Sequence, residues 1–317
     1  LTNFIFQAKK SYMFRREFLK HTSLGTLALG AFPYGLTEDA KKTSRLGLQL
    51  YSVRDEMKNN PVATVQALGK MGYRDCEHAG YNGQTRKYYG YSPAEWKKIL
   101  GDAGLTMKSG HTTFASMHYN MESKQLTDAW KTVVEDAVLA GQEYVISPWL
   151  DISLRKNFDD LKRFMEGFNA AGAYCKSQGI RYGYHNHDFE FSIKLTSQRI
   201  MDIIMENTDP GLVAQQLDIG NMYGGGGRAM ELLKQYPGRF ELMHVKDVIK
   251  ASTDGLAHYE STVLGKGLID VKKVLKYALR KGGTKYLIIE QEAYQGMAPL
   301  DSMKEDLRIM KDWGYAG

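Results

Sequence analysis

From residue 45 onward, short runs rich in β-branched and aromatic residues alternate with longer stretches in which apolar residues recur every three or four positions. The short runs predict strands at 46–51, 73–77, 106–111, 144–147, 181–187, 213–218, 240–245 and 286–292. The longer stretches predict helices. Across 158–175, for example, Phe158, Leu161, Phe164, Met165, Phe168, Ala171 and Cys175 share one helical face. Gly72, Gly104, Gly141, Gly179, Gly238 and Gly283 stand just before strands, where a left-handed helix cap fits. Pro61, Pro93 and Pro299 stand where first helical turns should begin.

Regular alternation of strand and helix implies a parallel sheet covered by helices. Eight units allow a closed barrel or a doubly wound open sheet. No Gly-x-Gly-x-x-Gly follows the first strand, so the dinucleotide-binding open sheet loses its support. With no internal linker or repeat, residues 45–317 read as one α/β domain, a single (β/α)8 TIM barrel. In such a barrel the chemistry is expected where the strands end.

Charge divides the chain unevenly. Of the net +6, residues 1–45 supply +5, from eight Lys/Arg against three Asp/Glu. The barrel itself is close to neutral, which gives a nucleic-acid partner no electrostatic basis. The basic segment contains Arg15-Arg16-Glu17-Phe18-Leu19-Lys20 after Met13, then a mild apolar run at 22–32. This resembles a twin-arginine export signal, so a periplasmic or otherwise exported protein is expected. Residues 1–12 read as lying upstream of the natural start, and cleavage is expected between Ala31 and Ala40. The apolar run is too short to span a bilayer, which takes about 20 residues, so no membrane insertion is expected after processing. Cys76 and Cys175 suggest neither a disulfide nor a cysteine metal knuckle.

Polar residues close almost every strand: Gln49 and Tyr51, Glu77 and His78, His111, Ser147 and Trp149, His185 and His187, Asp218 and Asn221, His244 with Lys246 and Asp247, and Glu290 with Glu292. Strands of a covered parallel sheet should be almost continuously apolar, so a purely structural core does not call for these groups. Asp218, His244 and Glu290 form the strongest set, two carboxylates and an imidazole suited to one divalent ion among Mn, Co, Zn, Fe and Mg. Strand alternation sends His185 and His187 to one side and Asn186 to the other, so a fourth ligand is expected from His185 or His187, with Glu190 a further candidate. Gln49, Glu77, His111, Trp149 and Asn221 are expected to contact substrate, with Trp149 and Tyr51 able to stack on a sugar face. Lys246 is assigned to a substrate oxygen. His78, His118 and His258 are placed on the surface or in loops, and the glycine run 224–227 is read as a barrel loop.

As a set, the segments at 47–54 (GLQLYSVR), 184–190 (YHNHDFE), 217–221 (LDIGN), 244–247 (HVKD), 265–270 (GKGLID) and 289–290 (IE) resemble the xylose isomerase-like barrels. That superfamily includes sugar phosphate isomerases/epimerases, ketose 3-epimerases, inosose dehydratase and endonuclease IV. The resemblance implies a metal held by the ends of strands five to eight, here His185, Asp218, His244 and Glu290. In ketose epimerases the strand-five ligand is a glutamate, and two metal-binding glutamates exchange protons on opposite faces of the sugar. His185 stands in that place here. Endonuclease IV needs three metals and more histidines, and Asn221 stands where it has one, so that branch is set aside.

The expected chemistry is metal-assisted proton abstraction beside a carbonyl. Glu290, alone or paired with His187, would be base and conjugate acid, with Glu190 and Lys246 assisting. The expected substrate is a small, unphosphorylated sugar or polyol, and an oligomer is left open. A sugar isomerase or epimerase is placed first. A lyase or dehydratase removing water or an alcohol from an inosose or a 3-keto-glycoside is the alternative, and an inactive sugar-binding barrel comes third.

Overall fold

The computed structural model describes residues 45–251 and 258–315. The export signal expected in 1–44 lies outside the described residues. Eight parallel strands close into a barrel: β1 (Arg45–Gln49), β2 (Asp75–His78), β3 (Thr106–His111), β4 (Tyr144–Ser147), β5 (Arg181–His185), β6 (Val213–Asp218), β7 (Phe240–Val245) and β8 (Tyr286–Ile289). Each strand pairs with its sequence neighbours, and β1 pairs with β8, Leu46 opposite Leu287 and Leu48 opposite Ile289. That last pairing decides between the two topologies the sequence allowed.

The principal outer helices are α1 (Pro61–Met71), α2 (Pro93–Asp102), α3 (Asp128–Ala140), α4 (Phe158–Ser177), α5 (Ile200–Asn207), α6 (Ala229–Gln235), α7 (Val271–Tyr277) and α8 (Pro299–Asp312). Side chains that pay for their unbonded N-terminal amides are in place. Asn60 accepts from Ala63 N, Asn157 from Asp160 N and Asp270 from Lys273 N, while Ser92 and Glu95 form a capping box. All three prolines occupy first turns, and the six glycines have positive φ. Gly72 shows why: at φ 114° it ends α1 and returns its N–H to Leu68 O. Among the described residues no helix is long and apolar enough to cross a membrane.

Alternation sorts the strand residues. Outward-facing side chains such as Leu48, Tyr182, Val213, Leu217 and Ile289 pack under the helices. The aromatic and aliphatic face of α4, with Leu161, Phe164 and Phe168 fully buried, closes one side, at about 1.5–3 kcal/mol per buried side chain. Inside the barrel, Tyr144, Ile146, Ala214, Leu242, Tyr286 and Ile288 form an apolar floor. At the N-terminal rim, Arg181 and Lys285 pair with Glu241 at 2.6 and 2.9 Å, and Lys108 pairs with Glu143 at 2.9 Å. Polar groups therefore bracket the floor, and the set at the C-terminal rim contains the residues that the sequence singles out for chemistry.

Four strands have the predicted bounds, whereas three end sooner. Strand β1 stops at Gln49 because its Oε1 accepts from Tyr51 N and opens a 3-10 turn. Strand β5 stops at His185 because the Asn186 amide bonds to the backbone of Asp218 (3.0 and 3.1 Å), and His187 N donates to Glu190. Strand β8 stops at Ile289 because Gln291 N and Glu292 N donate to Ser52 Oγ and Ser261 Oγ. His78 and His118 are buried, not on the surface. His78 bonds to Gln142 Nε2 at 3.1 Å and packs edge-on against Tyr88, in space left by Gly110. The glycine run 224–227 is a packing turn: a Cβ at Gly225 would lie 2.2 Å from Asp188 O, and one at Gly227 2.8 Å from the Phe191 ring. Both cysteines are free and buried.

Candidate active site

The closed barrel brings the inward ends of β1–β3 and β5–β8 together. Glu77, fully buried, is the hub. Its Oε1 accepts from Gln49 Nε2 (2.7 Å) and lies 2.6 Å from His244 Nε2 and 3.0 Å from His111 Nε2. Its Oε2 accepts from Gln216 Nε2 (2.7 Å) and from Ser109 Oγ. Burial alone would raise this carboxyl, but His111 and His244 outweigh burial and hold it well below the usual carboxylate range.

Gln216 is the second hub. Its Nε2 donates to Glu77, so its Oε1 is an acceptor, 2.8 Å from His111 Nε2 and 3.0 Å from His185 Nδ1. An oxygen can only accept, so the proton of neutral His185 sits on Nδ1. Its Nε2 lone pair then faces Asp218, 4.0 Å from Oδ2. Burial, then His244 and His111, hold His185 well below its usual range, so the ring is neutral, as a metal ligand must be.

His244 lies between carboxylates, with Nδ1 2.9 Å from Glu290 Oε2 and 3.8 Å from Asp218 Oδ2. Burial opposes its charge, but Glu290 and Glu77 raise it to about 10, so an ion held at Nδ1 would displace the proton that this ring carries in the metal-free site. Lys246 Nζ lies 2.8 Å from Glu290 Oε2, 3.0 Å from Asp218 Oδ2 and 3.4 Å from Glu292 Oε1. Burial lifts Asp218 to about 6 against the pull of Lys246, while Lys246 and His244 overcome burial and hold Glu290 well below its usual range. Asp218 Oδ1 caps the short helix Ile219–Gly224 by accepting from Asn221 N at 2.7 Å.

Asp218, His244 and Glu290 offer donor atoms within 4.8 Å of one another, and so do His111, His185 and His244. The first group fits a divalent ion better. Asp218 Oδ2 is buried without a hydrogen-bond partner, although Lys246 lies within ion-pair distance. His244 Nδ1, bonded to Glu290 Oε2 at 2.9 Å, and His185 Nε2 lie 3.8 and 4.0 Å from Asp218 Oδ2. In the second group, His111 Nε2, His185 Nδ1 and His244 Nε2 are engaged by Gln216 and Glu77. Two carboxylates and two imidazoles make a donor set of intermediate hardness, and Glu77 behind His244 is the kind of carboxylate that orients a ligand imidazole.

A cavity of about 830 Å³ opens on this cluster, lined by His111, His185, His187, Asn221, Glu290 and Glu292 at its reactive end. Trp149 and Tyr51 stand at its rim, 42% and 45% exposed. His187 meets Trp149 edge-on at 5.2 Å, and burial, then Lys246, lower it to about 4. Of the residues expected to touch substrate, His111, Trp149 and Asn221 line the cavity. Gln49 and Glu77 do not; they are fully buried behind the imidazoles. Glu190 is also buried away from the cavity, accepting from Tyr184 OH (2.5 Å) and His187 N (2.9 Å), and burial raises it to about 8. Lys246 meets carboxylates and does not line the cavity. Asp247 binds backbone, accepting from the amides of Val248, Gly265, Gly267 and Ile269. Gln216 and Ser109 stand inside their strands, so strand-end position does not single them out. A pair of glutamines inside the buried strand β6 was the signal that could have found Gln216.

The xylose isomerase-like TIM barrel family model matches residues 65–313. An inosose dehydratase from Clostridium perfringens is 30% identical over 192 residues, 57% of this chain. The match spans 64% of that relative's length. A crystal structure of a sugar phosphate isomerase/epimerase from Parabacteroides distasonis is similar at 27% identity and TM-score 0.73, over 87% of this chain and 96% of that one. The IolI protein, solved with a bound zinc atom, shares the fold at TM-score 0.64 and 13% identity, over 86% of this chain and 99% of its own. With a closed eight-stranded barrel and a match across most of its length, the chain belongs to the xylose isomerase-like TIM barrel family.

Proposed function

We propose that the chain is a metal-dependent lyase that removes a β-oxygen, as water or an alcohol, from a keto-polyol or keto-sugar. His185, Asp218, His244 and Glu290 would hold the ion. When bound, a divalent ion supplies positive charge beside the carbonyl oxygen as the neighbouring C–H proton leaves. Asn221 and His111 orient the substrate, and Glu77, Gln216 and Glu190 keep the imidazoles in place.

The observation that carries this reading is the asymmetry of the rim. The metal-side carboxylates Asp218 and Glu290 come from β6 and β8 and share Lys246, whereas the end of β5 and the turn after it present two imidazoles, His185 and His187, that line the cavity. An epimerase works best with two matched groups on opposite faces of one carbon. An elimination can use a single group: His187 takes the proton from the carbon beside the ketone, the carbon–carbon double bond forms as the β C–O bond breaks, and the same proton passes to the departing oxygen. The inosose dehydratase relative supports this class of reaction. A second reading, isomerase or epimerase, is favoured by the name of the Parabacteroides neighbour and by the presence of both His187 and Glu290 in the lining.

Incubating the protein with ketoses, inososes and 3-keto-glycosides in deuterated water, followed by NMR, separates the two. Elimination yields an unsaturated ketone together with released water or alcohol. Deuterium exchange at carbon with no released product would overturn the lyase reading. We further propose that 1–44 directs export, on the twin arginines Arg15 and Arg16. Replacing both by Lys should hold the protein inside the cell on fractionation, and unchanged export would refute it.

A further inference from the structure

The cavity continues well beyond the reactive end. After β2 the chain forms a hairpin, Tyr81–Asn82 paired with Lys87–Tyr88, that stands beside α3. It is pinned there: Tyr81 OH donates to Asp136 Oδ2 at 2.6 Å, and Arg86 meets the same carboxylate in a two-point pair at 2.7 and 3.1 Å. Asp136 lies on α3 and is buried. The hairpin is therefore a fixed wall. Between it, α3 and the loop after β3 runs a groove lined by Tyr81, Asn82, Gln84, Thr113, Met117 and Thr132. Its surface is amide, hydroxyl, thioether and aromatic, a mixture of neutral hydrogen-bonding groups and apolar patches.

We infer that the substrate has two units: a keto ring at the metal end and a neutral glycosyl unit in this groove. The inference rests on the proposed elimination only for which oxygen departs. Size is the first argument. Pockets of about 300–1,000 Å³ hold drug-sized ligands, and a cavity of about 830 Å³ leaves most of its length empty around one sugar ring. Charge is the second. The acids Glu290 and Glu292 line the cavity, and the cations near it are engaged elsewhere: Lys246 with three carboxylates, Arg86 with Asp136, Arg54 with Glu292 O and Tyr294 OH, and Arg155 with Leu150 O and the Phe189 ring. A phosphate brought into this space would lose its water beside carboxylates, whereas a glycosyl unit exchanges water for Thr, Asn and Gln partners and lays a ring face on Tyr81 or Met117. In chemical terms, the departing oxygen is then the glycosidic one. The proton leaves the carbon between the ketone and the anomeric carbon, the double bond forms to the anomeric carbon, and the second unit leaves as an alcohol that takes up the proton.

Unreactive sugars test the groove without turnover. Full-length protein would be titrated with methyl α- and β-glucoside, cellobiose, maltose, sophorose, trehalose and glucose 6-phosphate, with binding read by saturation-transfer NMR. At least one disaccharide should bind about tenfold more tightly than the matching methyl glucoside. Thr132→Trp, which fills the groove, and Gln84→Ala, on the exposed hairpin, should each reduce that ratio toward one. Equal affinity for one and two rings, no binding of any disaccharide at millimolar concentration, or tighter binding of glucose 6-phosphate would overturn the inference. None of these outcomes touches the elimination reading, which the deuterium experiment decides separately.

Discussion

Gln216 engages both ends of its amide with other side chains, and that single residue orients two imidazoles. Because its nitrogen must donate to Glu77, its oxygen must accept from His111 and His185. The lone pair of His185 is turned toward Asp218 as a result. The residue types that end strands five to eight could be read from the sequence, since Asp, His and Glu have no reason to close buried strands. The hubs could not. Glu77 looked like a substrate contact because strand-end position is visible in a sequence while depth below the cavity is not. If Glu77 orients His244, Glu77→Gln should leave the chain folded and weaken metal affinity by about 10–100-fold, as is typical when a ligand's carboxylate partner is lost. Five donors converge on this carboxylate, and an amide would turn its own N–H groups toward some of them. Chelator competition measures the effect; unchanged affinity would reduce Glu77 to ordinary packing.

At the scale of elements, the bounds of strands β3, β4, β6 and β7 follow from the sequence to the residue. Strands β1, β5 and β8 were drawn too long because side chains of Gln49, Asn186, Ser52 and Ser261 take over backbone partners that the apolar pattern assigns to a ladder. The two-residue ribbons, including the one that walls the groove, carry no detectable period at all. Helix α8 supplies a test of its own. Asp306, buried on its inner face, accepts from Leu264 N, and burial raises its carboxyl to about 7 from an ordinary 3.8. A value raised by folding means that the folded state prefers the proton. The contribution is complete below about pH 4 and is lost as pH rises through about 7. Asp306→Asn keeps the acceptor oxygen and removes the charge. It should melt higher than wild type by a margin that is small near pH 4 and widens to a few degrees by pH 8. A melting difference that does not change with pH would show that Asp306 is not protonated on folding.

For the molecule as a whole, the barrel was readable and its closure was not. Eight strand–helix units follow from periodicity, but only the pairing of β1 with β8 separates a barrel from an open sheet. Closure then decides the site, because it sets Gln49 and Glu77, from the first quarter of the chain, against His244 and Glu290 from the last. The acidic and imidazole ends of β5 to β8 are brought together by one architecture, and the function proposed here depends on their gripping an ion. Metal content by mass spectrometry, on full-length protein loaded in turn with Mn, Co, Zn, Fe and Mg and then desalted, measures that directly. The wild type should retain about one divalent ion per chain, and Asp218→Asn should lose most of it while keeping its fold. A wild type that retains none of the five, or an Asp218→Asn variant that holds its ion as firmly, would contradict the metal site and the chemistry built on it.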